Sequence, residues 1–313
     1  MHTLTFPSIP VPVSRIALGT AMFGTGIPHD DAWRVMDCFV ERGGTCLDTA
    51  HIYAAWLPGG SGASETTIGA WIRSRNCRHT VVLMTKGGHY TENTKPLGRL
   101  RPEELAADLE QSLDRLGLPC VDIYWLHRDN PDIPVGEVLD ALEGFRRSGR
   151  IRAAGCSNWR VHRLCEAREW ASRHGIEGFV ASQVWWTLAH INREAVHDPS
   201  LVTMDGDAFA FHRMTQVPVF AYSPQAGGYF RRSSKPHIAG TYDNPISRAR
   251  RTTAERIAER LGGGATRVAL AWLLHQPFPV VPIIGCSTRA QLEDSLAADD
   301  LRLAPEDVAA LSA

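Results

Sequence analysis

Val81-Val82-Leu83-Met84-Thr85-Lys86 is a mostly apolar run that ends on an ammonium group. The segment before it, Thr45-Cys46-Leu47-Asp48-Thr49-Ala50, carries a carboxylate near its end, with Tyr53 three residues on. The one after it, Val121-Asp122-Ile123-Tyr124-Trp125-Leu126-His127, ends on an imidazole. Short runs of this composition read as buried strands. Three in succession, each stopping at an ionisable residue, fit a parallel barrel whose C-terminal strand ends open into one mouth. A carboxylate, a phenol, an ammonium and an imidazole from distant parts of the chain would meet there.

Outward from these three runs, the same alternation continues. Expected strands are Arg15–Thr20, Thr45–Asp48, Thr80–Lys86, Val121–His127, Ile151–Cys156, Phe179–Gln183, Val217–Tyr222 and Val280–Gly285. Amphipathic segments fall between or after them at Asp30–Arg42, Ser64–Arg75, Pro102–Leu116, Val135–Ser148, Arg160–His174, Asp205–Met214, Thr253–Leu261 and Gln291–Ala297. Eight strand–helix units predict a (β/α)8 barrel of the α/β class. Thr266 to Gln276 predicts an extra helix before the last strand, so extra C-terminal helices are expected. Leu4–Phe6 and Val11–Val13 predict an N-terminal hairpin plugging the barrel bottom. Pro102-Glu103-Glu104 is a helix start, and Thr288-Arg289-Ala290-Gln291 has capping-box spacing. The longest irregular stretches, Tyr53–Gly62 and Ser223–Ser247, have the length of binding loops. No linker or repeat is visible, so one domain over residues 1–313 is the simplest reading.

The 313 residues suit one such barrel, and 44% apolar residues suffice for its core. With 33 basic and 34 acidic residues, the net charge of −1 gives no electrostatic reason to expect nucleic acid or an anionic membrane surface. The seven cysteines form no C-x-x-C pair and are odd in number, which favours a reducing compartment. The N-terminus lacks the pattern of a signal peptide, and no apolar run has membrane-spanning length. A cytoplasmic protein is expected. The thirteen histidines show neither H-x-H nor H-E-x-x-H, so no metal site is expected.

Asp48 and Lys86, if buried on adjacent strands, would offset each other's desolvation. A cation beside Tyr53 would lower the phenol's pKa and make it a better acid near neutrality. His127 could orient the oxygen receiving the proton. This is chemistry for carbonyl reduction, and because none of the four groups can supply a hydride, a nicotinamide cofactor is implied.

Asp48-Thr49-Ala50-His51-Ile52-Tyr53, Lys86 after Val82-Leu83-Met84-Thr85, and Tyr124-Trp125-Leu126-His127 resemble the aldo-keto reductase superfamily. So do Leu18-Gly19-Thr20, Gly155-Cys156-Ser157-Asn158, Gln183, Ala221-Tyr222-Ser223-Pro224 and Pro282-Ile283-Ile284-Gly285, in that order along nearly the whole chain. The resemblance implies an NADP(H)-dependent (β/α)8 reductase without metal, NAD(H) being the alternative cofactor. Asp48, Tyr53, Lys86 and His127 are then the catalytic tetrad. The cofactor site would comprise Ser157, Asn158 and Gln183 at the carboxamide, and Tyr222 stacked on the ring. Gly19, Thr20 and Asp48 would lie near the ribose and Ser223 near the pyrophosphate. Gly285, Ser287, Arg289 and Gln291 would hold the adenosine 2′-phosphate end. Asp294-Ser295 departs from the family's frequent Glu-Asn. Trp159 replaces a smaller aromatic and is expected to alter the substrate wall. No G-x-G-x-x-G follows a strand, so a Rossmann domain is not indicated.

Trp56, His127 and Arg128 are the expected substrate contacts, with His89, Tyr90, Trp185, Trp186 and Tyr229 also at the mouth. The expected substrate is an aldehyde or ketone, with sugar- or polyol-type carbonyls among the candidates because His51, His89 and Arg128 add hydrogen-bonding capacity. A nicotinamide-binding regulatory subunit with little turnover is the alternative.

Overall fold

A computed structural model describes residues 1–233 and 235–313. Thr3–Phe6 (β1) and Ile9–Ser14 (β2) pair as the expected antiparallel hairpin. The chain then alternates through Ala17–Gly19 (β3), His29–Glu41 (α1), Cys46–Asp48 (β4), Ala63–Arg75 (α2), Val82–Gly87 (β5), Pro102–Leu116 (α3), Val121–Leu126 (β6) and Val135–Arg147 (α4). It continues through Ile151–Ser157 (β7), Val161–His174 (α5), Phe179–Trp185 (β8), Gly206–Thr215 (α6) and Val219–Tyr222 (β9). Pro236–Tyr242 (α7), Pro245–Leu261 (α8), Ala265–Leu274 (α9), Val280–Gly285 (β10), Arg289–Leu296 (α10) and Pro305–Ser312 (α11) complete it. Strands β3 to β10 form a closed parallel barrel in chain order, β10 pairing back with β3. No helix among the described residues is long and apolar enough to cross a membrane.

Three helices differ from expectation. The segment Ser223–Ser247, expected to be irregular, contains α7 and the start of α8; Ser234 within it lies outside the described residues. Helix α8 begins eight residues before Thr253 because Asn244 caps it, accepting from Ser247 N, and Pro245 fills its first position. Helix α11 likewise opens on a proline, Pro305. Of the expected capping box at α10, one half forms. Thr288 accepts from Gln291 N, whereas the Gln291 side chain turns back to Ser287.

Strand parity places the site. Cys46, Val82, Met84, Ile123, Trp125, Ala181, Phe220, Val281 and Ile283 fill the barrel interior, closed from below by Phe6, Ile9 and Val13 of the hairpin. Leu47, Leu83, Tyr124 and Leu126, one residue out of step, pack against the helices instead. Side chains alternate along a strand, so the interior series Cys46, Val82–Met84, Ile123–Trp125, Ala181 and Phe220 continues upward to Asp48, Lys86, His127, Gln183 and Tyr222. Trp125 can lie across the barrel, edge-on to Phe220 at 5.1 Å, because residue 155 is glycine. A Cβ there would come within 2.4 Å of the indole.

Candidate active site

The Lys86 ammonium, 2% exposed, donates three hydrogen bonds: to Asp48 Oδ2 at 2.7 Å, to the Thr49 carbonyl at 2.8 Å and to the Tyr53 hydroxyl at 2.8 Å. Every N–H of the buried cation is therefore used. Tyr53 sits on the turn after β4, its hydroxyl 3.3 Å from Asp48 Oδ2. His127, immediately after β6, places its ring edge-on to that phenol, with centroids 5.9 Å apart. Its Nδ1 is sealed in protein without a partner among the described residues, which leaves Nε2 as the nitrogen open to a reacting oxygen. The four expected catalytic side chains thus converge on one point.

Their electrostatics correct one expectation. Tyr53 is held well above the usual phenol pKa, first by burial and then by the Asp48 charge and hydrogen bond. The Lys86 ammonium, shared among Asp48, Thr49 and Tyr53, does not offset burial and the carboxylate. Lys86 is itself lowered by burial, opposed by Asp48. His127 is pushed well below the usual histidine range by burial and then by the neighbouring Arg128 charge. His89, 4.8 Å from the His127 ring, is lowered to about 4 by burial and the same arginine. Tyr53 therefore keeps its proton at neutral pH, and both imidazoles are neutral.

A cleft of about 740 Å³ runs from this point along the barrel mouth to α10. Asp48, Tyr53, Lys86, His127, Gly19, Thr20, Ser157, Asn158, Gln183, Tyr222, Ser223, Gly285, Ser287, Gln291 and Arg128 all line it. Asn158 is spent within the protein. Its Oδ1 accepts from the Tyr222 hydroxyl and Val202 N, and its Nδ2 donates to the His127 carbonyl and Ser157 Oγ. Arg128 donates to Ser200 Oγ at 2.8 Å and reaches Asp198 at 3.3 Å. Asp198 in turn accepts from Tyr90.

Other expected residues lie elsewhere. Arg289 is exposed, is paired along its own helix with Glu293, which Arg42 also holds, and is not on the cleft lining. Trp56 is 63% exposed and outside the lining. Trp186 is core, packed on Trp272 and Phe278. Tyr229 is buried and bonded to Asp243. Trp159 is buried beneath Arg163 rather than in the substrate wall. Trp185 stacks behind Tyr222.

Sequence reasoning missed Arg231 and Lys235, two exposed cations on the cleft lining, of which Arg231 also lies beside Thr288, Gln291 and Asp294 at α10. Both lie in the stretch Ser223–Ser247, whose length marked it as a binding loop, but nothing in the local pattern selected them. It also missed Gln225, which ties Gly285 N to Ser295, and the apolar Met22, Phe23, Ile27 and Leu201 on the lining. Among the described residues, the one cluster of possible metal ligands, His2, Asp299 and Asp300, includes none of the tetrad.

An eight-stranded parallel barrel does not by itself fix a chemistry, and the comparisons give the family. Residues 15–313 match the Aldo/keto reductase family, and the chain belongs to it. It is 30% identical over 305 residues to the uncharacterized oxidoreductase YrpG of Bacillus subtilis (strain 168), covering 94% of this chain and 90% of that one. It is 27% identical over 333 residues to norsolorinic acid reductase stcV of Emericella nidulans, covering 98% and 79%. Among solved structures, the thermostable aldo-keto reductase Tm1743 in complex with the inhibitor epalrestat superposes with a TM-score of 0.74 at 25% identity, covering 100% of this chain and 99% of that one.

Proposed function

We propose that this protein is an NADP(H)-dependent reductase of aldehydes or ketones, with Tyr53 as proton donor. The observation that carries this reading is the Tyr53–Lys86–Asp48 contact set, at 2.8 and 2.7 Å, on the floor of the cleft beside a neutral His127. A dinucleotide fits the residues present. Ser157 and Gln183 offer polar groups for a carboxamide, Tyr222 offers a ring face, and Arg231 and Lys235 offer charge at the far end. We assign the adenosine 2′-phosphate to those two cations rather than to Arg289. The nicotinamide, when bound, supplies the hydride.

The chain's own residues supply the rest. His127 Nε2 orients the carbonyl oxygen. As hydride reaches the carbon, Tyr53 gives its proton to that oxygen, forming the alcohol. Lys86, already bonded to the phenol oxygen, stabilises the phenolate left behind. Here the lysine acts on the product of proton transfer rather than by lowering the resting acidity of Tyr53.

The substrate end combines apolar Met22, Phe23 and Leu201 with Arg128 as its cation. This wall suits an apolar or aromatic carbonyl carrying an oxygen substituent, and sugar- or polyol-type carbonyls belong in the same panel. The regulatory-subunit alternative is not favoured, because the whole tetrad is assembled with its hydrogen bonds made.

Tyr53→Phe is the direct test. Turnover should fall roughly 10²–10⁴-fold, as for loss of a general acid, with NADPH affinity kept. Near-full turnover of this variant would remove Tyr53 from the chemistry. A single burst of NADPH oxidation without turnover, across aldehydes, ketones and aldoses, would revive the subunit reading.

A further inference from the structure

We infer that Gln183 is a positioning residue for the tetrad, acting through Asp48 as well as facing the cofactor. The inference deepens the reading above and rests on it. Strands β4 and β8 stand four places apart in the closed ring of eight, directly opposite one another. From the far wall, Gln183 Nε2 donates to Asp48 Oδ1 at 2.9 Å, a contact across 135 positions of sequence between two side chains that are both about 1% exposed.

The carboxylate is thereby divided. One oxygen is fixed by Gln183, and the other takes Lys86 and Tyr53. A carboxylate anchored at one oxygen cannot rotate away from the ammonium, so the Gln183 amide sets the angle at which Asp48 meets Lys86. A residue serving only as a cofactor ligand has no need of this contact.

The other end of the same amide is free. Gln183 Oε1 accepts from none of the described residues, and Gln183 lines the cleft next to Ser157 and Tyr222. Asn158, the other amide on that wall, has no free end. Among the described residues, Gln183 is therefore the side chain placed to bond a carboxamide N–H on one side and the tetrad carboxylate on the other. A cofactor lying there with its carboxamide correctly turned would brace Asp48, coupling cofactor orientation to placement of the proton donor.

The test uses the full chain carrying Gln183→Glu or Gln183→Leu. Glutamate keeps an acceptor for the carboxamide but replaces the donor facing Asp48 with a second carboxyl. The two carboxyls share a proton at low pH and repel at high pH. For Gln183→Glu we expect kcat to fall at least roughly tenfold more than the parent's between about pH 6 and pH 9, with NADPH affinity followed in parallel by fluorescence titration.

A second readout needs no cofactor. In Gln183→Glu the shared proton raises a carboxyl pKa in the folded state, so the folded state binds more protons than the unfolded one. Stability then falls as pH rises through that pKa, and the thermal midpoint of cofactor-free Gln183→Glu should drop relative to the parent toward neutral pH. Gln183→Leu should lose kcat roughly tenfold or more at every pH. The inference is overturned if both variants alter only NADPH affinity, with the parent's kcat and pH profile. It is also overturned if the cofactor-free midpoint of Gln183→Glu tracks the parent's at every pH. Failure of the tetrad reading itself is separate, since it shows as full turnover in Tyr53→Phe and leaves the cofactor-free melting result intact.

Discussion

The two ends of the cleft were built by different rules. At the end holding Tyr53, the residues Asp48, Lys86, His127 and Gln183 sit within two residues of strand termini, where alternation fixes which way each side chain points. At the far end, charge comes from Arg231 and Lys235 on the long segment after β9, while Arg289, on helix α10 itself, turns to Glu293. A strand in a closed barrel leaves a side chain two directions, in or out. A helix surface offers many, and an i,i+4 carboxylate is enough to decide among them. Direction is thus dictated at one end and negotiated at the other.

The largest effect expected after Tyr53→Phe is at the catalytic end. Lys86→Met should lower kcat by roughly 10²-fold, because an unsupported phenolate must form in a buried site. It should also move the alkaline limb of the rate profile upward, since the remaining influences on Tyr53, burial and Asp48, both raise its pKa. A profile and rate like the parent's would mean that the ammonium is only structural.

The far end is tested by a pair of variants. Arg231→Ala should weaken NADPH binding about tenfold while NADH changes little, the loss of one charge-assisted contact. Arg289→Ala should leave both within about twofold, as expected for an exposed ion pair. The reverse ranking would restore Arg289 to the 2′-phosphate and break the contrast drawn here.

The barrel floor supports the catalytic end, and its rigidity can be probed. Gly155→Val drives a side chain into the Trp125 indole and should destabilise the protein by about 1–3 kcal/mol, read by denaturant unfolding. An unchanged midpoint would show that the Trp125 layer yields easily.

The smallest effect concerns pH. His127 and His89 are both held below the ordinary histidine pKa, so the unfolded chain binds more protons than the folded one below about pH 6.5. Stability should be fully present above that pH and be lost as pH falls toward about 4, where His89 titrates. Removing one imidazole with His89→Gln should flatten this acid-side slope. An equally steep slope would place the titrating groups elsewhere.

Much of the fold was legible because its signals are local. All eight strands lie on the expected short apolar runs, and the alternation that fills the barrel with Val82, Met84 and Trp125 also aims Lys86 and His127 into the mouth. Helices α7, α8 and α11 were missed or misplaced, and each opens on a proline at its first position. Trp186 and Tyr229 were assigned to the mouth on aromatic character alone, and only packing distinguishes a core aromatic from a rim one. The sign of the Tyr53 shift was misread for a related reason. Adjacency predicts an attraction to Lys86, but burial and the competing Asp48 belong to the assembled site.

By itself, the sequence determined the barrel, the strand faces and which ionisable side chains meet at the mouth, because those depend on apolar runs and a period of two that any reader of the chain can follow. Only the tertiary structure decided which cations reach the far end of the cleft, which aromatics are core, and that Gln183 grips Asp48 from the opposite wall. Those outcomes depend on contacts between residues tens to hundreds of positions apart, whose energies are set by distance and desolvation in space, and neither is written in the local order of the chain.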